Sequence, residues 1–412
     1  GTLLQEEGLK AGELPELWNL THPDVVEAIH RQYLDAGCNL LKTNTFGANR
    51  LKLAGCGYRV EEIVASAVSH ARHAAKGYLQ PVFVGMDIGP TGKLLKPLGD
   101  LSFEQAYDVF AQMARAGEQA GADFILIETM GDTYEVKAAL LAAKECTSLP
   151  VFVTMVFDER GKLLTGGSIE AAVALLEGLG ADAIGFNCGL GPVQMRELLP
   201  ILLKTASVPV ILNPNAGLPR SENGKTVYDI GPDEFGELMK PLVECGVHIV
   251  GGCCGTTPAH LQQLIANCKE LPQSPVVPKE DTLVSSYSHA VRLGGKPVMI
   301  GERINPTGKK RLKQALREND MDYLLREAIS EQQHGAQILD VNVGLPEIDE
   351  PAVMEQAVQE IQGVTDLPLQ IDTSDPVAME RALRAYNGKA MINSVNGKEE
   401  SMRTVFPLAK KY

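Results

Sequence analysis

One phrase recurs along this chain and limits what it can fold into. A helical stretch ends in Gly, two or three residues follow, and a short apolar run ends in small polar residues. Ala36-Gly37 leads through Leu40-Leu41 to Thr43-Asn44-Thr45, and Ala120-Gly121 through Phe124–Ile127 to Glu128-Thr129. Leu179-Gly180 leads through Ala183–Phe186 to Asn187-Cys188, and Cys245-Gly246 through Val247–Val250 to Cys253-Cys254. The Gly caps each helix in a left-handed conformation. A short run that is apolar throughout reads as a buried parallel strand. Pro81–Pro90, Pro150–Asp158 and Val208–Gly217 read as further strands after turns, giving seven before residue 258. Helical stretches lie between them, among them Val60–Gly77, Ser102–Gly121, Tyr134–Cys146 and Pro232–Cys245. Repeated βα units of this length predict an α/β fold, a (βα)8 TIM barrel. The eighth strand is expected just before Gly1. A doubly wound sheet is the alternative, although no GxGxxG opens a helix.

Residues 271–296 break the pattern: Leu-Pro-Gln-Ser-Pro-Val-Val-Pro, then a charged, Ser-rich stretch, which reads as a linker. The phrase restarts at Val298–Asn305, Ile338–Gly344, Leu367–Thr373 and Ala390–Val395, and a helix over Ser401–Tyr412 follows. Four strands cannot close a barrel. Residues 297–412 are therefore expected to be the first half of a second, incomplete (βα)8 barrel that continues past Tyr412.

The net charge of −14 and pI near 5.1 argue against nucleic acid or an anionic membrane as partner, since both need a basic face. No apolar run approaches the roughly 20 residues of a membrane span, and no signal peptide is seen. The eight cysteines are irregularly spaced in a chain large enough to bury a core without staples, so reduced thiols and a cytoplasmic location are expected.

In a βα barrel the active site lies at the C-terminal ends of the strands. Cys188, Cys253 and Cys254 fall there, flanked by Gly. Cys38, Cys146 and Cys245 fall near helix ends, Cys56 in a loop and Cys268 on a helix. Three thiolates so placed suit a zinc ion with an open fourth position, the catalytic form of the site. The competing reading is that all eight thiols pack as small hydrophobes. Thr43, Asn44, Asp87, Glu128 and Asn187 would ring the same mouth, and a carboxylate such as Glu128 suits a substrate ammonium.

Asn187-Cys188 and Gly251-Gly252-Cys253-Cys254-Gly-Thr-Thr-Pro, with Thr43-Asn-Thr-Phe46 and Ile127-Glu128-Thr, resemble the homocysteine S-methyltransferase family over roughly residues 1–270. The resemblance implies a zinc-dependent (βα)8 barrel in which Cys188, Cys253 and Cys254 hold the metal and homocysteine sulfur is the fourth ligand. That family usually opens with Asp-Gly-Ala-Met-Gly-Thr, of which only Gly1-Thr2 stand here. Ile300-Gly-Glu302-Arg-Ile-Asn305, Leu339-Asp340-Val-Asn342, Ile371-Asp372-Thr-Ser and Ile392-Asn393-Ser resemble pterin-binding methyltransferase domains. This implies that Asp372 and Asn393 hydrogen-bond a pterin, with Glu302, Asn305, Asp340 and Asn342 completing the folate site. The domain order is similar to the cobalamin-dependent methionine synthase family. It implies methyl transfer to homocysteine giving methionine, through methylcobalamin recharged from 5-methyltetrahydrofolate. The cobalamin would be held by a module outside this chain, because Asp-x-His-x-x-Gly is absent. Two alternatives stay open: another methyl donor such as betaine or S-methylmethionine, and a non-catalytic zinc-stabilised module.

Overall fold

The computed structural model describes residues 2–222 and 225–412. Gly1, the first residue of the Gly1-Thr2 pair, lies outside them. The chain divides into two compact units, Gly1–Leu164 with Ala181–Pro278, and Thr165–Gly180 with Lys279–Tyr412.

The first unit is built on seven parallel strands: β1 (Leu40–Lys42), β2 (Phe83–Ile88), β3 (Phe124–Met130), β4 (Val151–Met155), β5 (Ala183–Asn187), β6 (Val210–Asn213) and, after a β7–β8 hairpin (Arg220–Glu222, Lys225–Val227), β9 (Ile249–Val250). They are hydrogen-bonded in the order β1-β2-β3-β4-β5-β6-β9. Each of the seven strands expected before residue 258 is present, and the order follows the sequence without reversal. A doubly wound sheet would reverse direction at a switch point, so the arrangement is of the TIM-barrel kind. Helices such as Val60–Ala75, Phe103–Gln119 and Thr133–Cys146 alternate with the strands. Ser102 caps the second through Gln105 N and Asp132 the third through Tyr134 N and Glu135 N, supplying acceptors to otherwise orphaned helix N–H groups. The strands are apolar because they are covered: Val84, Ile125, Ile127, Val151 and Val153 are fully buried.

In the second unit, residues 282–293, inside the stretch read as a linker, form an antiparallel hairpin of β10 (Thr282–Ser285) and β11 (Ala290–Leu293). The helix Ile169–Gly178, which lies between β4 and β5 in sequence, groups with this unit; Ser168 N donates to Ser288 O at 2.8 Å. Four parallel strands follow in order: β12 (Ile300–Ile304), β13 (Ile338–Val341), β14 (Leu369–Asp372) and β15 (Met391–Asn393). Leu339, Val341, Leu369 and Ile371 are fully buried. The alternate positions Asp340, Gln370 and Asp372 share the other face, because side chains alternate along a strand. Among the described residues no helix is long and apolar enough to cross a membrane.

Candidate metal and substrate site

Three cysteines converge at the ends of β5 and β9. The ligand atoms of Cys188, Cys253 and Cys254 all lie within 4.8 Å of one another, and Cys188 Sγ is 3.8 Å from Cys254 Sγ. Sulfurs about 2.3 Å from a tetrahedral zinc sit about 3.8 Å apart, so the donor set and its spacing fit that ion. No other His/Cys/Asp/Glu cluster of metal-binding geometry occurs among the described residues. All eight cysteines are free; Cys245 is exposed and the remainder are half-buried. The thiols share protons. Cys188 is pushed far up, first by its hydrogen bonds to Cys253 and Cys254, while Cys254 is pulled down, first by the bond from Cys188.

The backbone that delivers these thiols is bent and tied. Cys188 has φ of +56° and Thr129 of +61°, a region that non-glycine residues, β-branched ones above all, enter only when the surroundings hold them. Asn187, fully buried, does the holding. Its Oδ1 accepts from Thr129 N and Thr154 Oγ1, both at 2.9 Å, and its Nδ2 donates to Thr129 Oγ1 at 2.7 Å. The same Nδ2 is 3.9 Å from Cys253 Sγ. Asn215 Oδ1 accepts from Cys254 N at 3.0 Å, and Thr256 Oγ1 donates to Cys253 O at 2.7 Å. A Cβ at Gly252 would stand 2.5 Å from the Thr256 side chain, so glycine is what lets the turn close.

Beside the thiols lies a charged row that crosses three strands. Lys42 on β1 reaches over β2 to Glu128 on β3, with Nζ 3.0 Å and 2.8 Å from the two carboxylate oxygens. Asp87 on β2, between them, is buried, and its Oδ1 has no partner. Burial pushes the Asp87 carboxyl well above the usual range, and the Glu128 charge adds to this. Burial would lower the Lys42 ammonium, but the Glu128 and Asp87 charges outweigh it and the net direction is upward. Glycine at 85 makes room here, since a Cβ would fall 2.4 Å from the Phe124 ring. Lys42 and Asn215 were not among the residues singled out from the sequence. A lysine inside the apolar run Leu40-Leu41-Lys42 is the signal that could have found the first. Thr43 and Asn44 have their side chains engaged within the protein. Thr43 Oγ1 lies 2.6 Å from Thr45 Oγ1 and accepts from Asp87 N, and Asn44 Nδ2 donates to Pro15 O.

In the second unit, register pairs Asp340 with Gln370 and Asp372 with Asn393. Asp372 Oδ2 accepts from Asn342 Nδ2 at 3.0 Å and from Asn305 Nδ2 at 3.4 Å, and Asn305 Nδ2 is also 3.4 Å from Glu302 Oε1. All six residues expected at a pterin site thus belong to this sheet or its strand ends. Gln370 joins them by donating to Asp340 Oδ1. Asp340 is buried with Oδ2 unpartnered. Burial raises its carboxyl to about 6, opposed by the Gln370 bond and reinforced by the Asp372 charge.

A curled parallel βα sheet with three cysteines converging at its strand ends defines a TIM-barrel-like domain with a candidate cysteine metal site. The chain belongs to the homocysteine S-methyltransferase family, which it matches over residues 1–268. Residues 301–412 match a second family, the pterin-binding enzymes. The chain is similar to methionine synthase of Mycobacterium leprae (strain TN), 34% identical over 420 residues, covering 96% of this chain and 35% of the relative. It is 33% identical to methionine synthase of Mycobacterium tuberculosis (strain ATCC 25618 / H37Rv) over 394 residues, covering 92% of this chain and 33% of the relative. The chain thus spans about a third of the length of these curated relatives. The metallated form of the homocysteine methyltransferase MmuM from Escherichia coli shares the fold, with a TM-score of 0.56 and 22% identity over 64% of this chain and 92% of that one.

Proposed function

We propose that this chain is the homocysteine-binding and folate-binding portion of a cobalamin-dependent methionine synthase, which makes methionine by methyl transfer to homocysteine. Residues 1–270 would be the homocysteine (βα)8 barrel, 271–296 the connection, and 297–412 the first half of a pterin-binding (βα)8 barrel. The observation that carries the reading is the meeting of Cys188, Cys253 and Cys254 Sγ within 4.8 Å at strand ends. These three would hold zinc with its fourth position open to substrate. When bound, zinc supplies a Lewis acid that keeps a thiol ionised at neutral pH, where a free thiol with a pKa near ~8.5 is mostly protonated.

The chain's own groups prepare that position. Asn187 fixes the Thr129 and Cys188 turns and approaches the Cys253 sulfur. Asn215 holds the Cys254 backbone, so the sulfurs are oriented before substrate arrives. Asp87, Glu128 and Lys42 supply charges for an amino-acid substrate. In the second unit, Asp372 and Asn393 would hydrogen-bond the pterin edge of 5-methyltetrahydrofolate. Asn342 and Asn305 orient the Asp372 carboxylate, while Glu302 and Asp340 complete the polar face. The methyl group would reach homocysteine through a cobalamin held by a module outside this chain. Reduced thiols at the site suit the cytoplasm.

Zinc content and homocysteine binding of the purified chain test the first assignment. Cys253→Ala should abolish stoichiometric zinc and homocysteine affinity together, and a variant that keeps both refutes the cysteine assignment. Binding of 5-methyltetrahydrofolate by the protein carrying the whole second barrel tests the donor. Failure to bind would favour betaine or S-methylmethionine instead.

A further inference from the structure

Three cysteine sulfurs and an incoming homocysteine sulfur would share one zinc, and each of the four is a nucleophile. A methyl donor reaching such a site has four possible acceptors, of which only one is the substrate. In the transfer a sulfur lone pair forms the new S–C bond, and the carrier keeps the electron pair of the bond that breaks. A hydrogen bond donated to a sulfur engages its lone-pair density and lowers its nucleophilicity. The protein supplies such donors to its own sulfurs. Asn187 Nδ2 lies 3.9 Å from Cys253 Sγ, and the Tyr228 hydroxyl is hydrogen-bonded to Cys254.

Backbone contacts fix the place of Tyr228. The residue follows β8 at the end of the β7–β8 hairpin and is half-buried. The base of that hairpin is stitched to Cys254: Ile230 N donates to Ala216 O, and Ala216 N donates to Cys254 O, both at 3.0 Å. Gly255 has φ of +79°, and a Cβ there would stand 2.4 Å from Tyr228 Cγ and Cδ2, so the ring lies on the backbone next to Cys254. A phenol is protonated at neutral pH and donates. We infer that Tyr228 is a positioning residue that keeps the Cys254 sulfur from taking the methyl group, through its hydrogen bond to that sulfur and the cover its ring gives beside it. The inference rests on the zinc reading of the three cysteines. It concerns which sulfur is methylated, not how the substrate is held.

The test is alkylation of zinc-loaded, homocysteine-free protein by iodoacetamide, in which a sulfur bonds the methylene carbon and iodide leaves with the electron pair. Tandem mass mapping gives the initial rate at each cysteine. Zinc content and circular dichroism check that each variant is loaded and folded. In Tyr228→Phe, Cys254 should react about three- to tenfold faster, the share of a charge-assisted hydrogen bond that a Brønsted coefficient of about 0.4–0.5 passes to the rate. Cys188 and Cys253 should keep their wild-type rates. Cobalt-loaded Tyr228→Phe should also show its sulfur-to-metal charge-transfer band at longer wavelength, which a packing role alone would leave in place. Gly255→Ala displaces the same ring from the other side and should raise the Cys254 rate alone, so the comparison does not hang on one variant. Unchanged Cys254 rates in both variants overturn the assignment, and so does an equal rise at all three cysteines. Protein that takes up no zinc refutes the zinc reading itself.

Discussion

Asn187→Ala isolates the tie that holds the site's backbone in its unusual shape. Asn187 is fully buried and its side-chain oxygen serves two donors, Thr129 N and Thr154 Oγ1, each at 2.9 Å. Removing it orphans both. A buried donor without an acceptor costs about 1–3 kcal/mol. Thr154 is fully buried and Thr129 half-buried, so the first belongs in the upper part of that range and the second at its foot, about 3–4 kcal/mol together. Thr129 also loses the bond from Asn187 Nδ2 while remaining at φ +61°, a conformation that then has nothing to enforce it. Thr154→Val serves as the companion change. It removes one hydroxyl and leaves Asn187 bonded to Thr129, so about 1 kcal/mol is expected. Urea unfolding of zinc-free, reduced protein, followed on the transition of the first unit, gives both values. If Asn187→Ala costs no more than Thr154→Val, Asn187 does not hold the Thr129 turn and the account of the site's pre-organisation fails.

Two further outcomes follow from the same geometry. Gly252→Ala places a Cβ 2.5 Å from the Thr256 side chain and should cost about 1–3 kcal/mol and weaken zinc binding; adding Thr256→Ala should recover part of the loss, and strictly additive effects in the double-mutant cycle would contradict the contact. Asp340 has a folded carboxyl near 6 against an ordinary value of 3.8, so its charged form is disfavoured by folding: the cost is absent below about pH 4, grows as pH rises to about 6, and is constant above. Wild-type stability relative to Asp340→Asn should therefore fall between pH 4 and 6.5, and a flat difference across that range would remove the raised carboxyl from the account.

Most of the architecture was legible because it is written in local periodicity. A capping Gly, a short apolar run and a polar end repeat often enough to name every strand of both sheets and to put Cys188, Cys253 and Cys254 at strand ends. The motif residues of the second sheet, Asp340, Asn342, Asp372 and Asn393, were legible for the same reason. The hairpin of β10 and β11 was not, since a Ser-rich, charged stretch carries no apolar alternation strong enough to separate strand from linker. Tertiary structure decided which polar strand-end residues are free. Thr43 and Asn44 look available in sequence, yet their hydrogen bonds are spent on Thr45, Asp87 and Pro15. Lys42 looks like an interruption of a strand, yet it crosses a neighbouring strand to occupy Glu128. Sequence spacing fixes which residues reach the mouth of the sheet, because a strand's period of two is a local property. It does not fix which of them find partners there, because Lys42 and Glu128 are 86 positions apart and only the folded sheet brings them within hydrogen-bond reach.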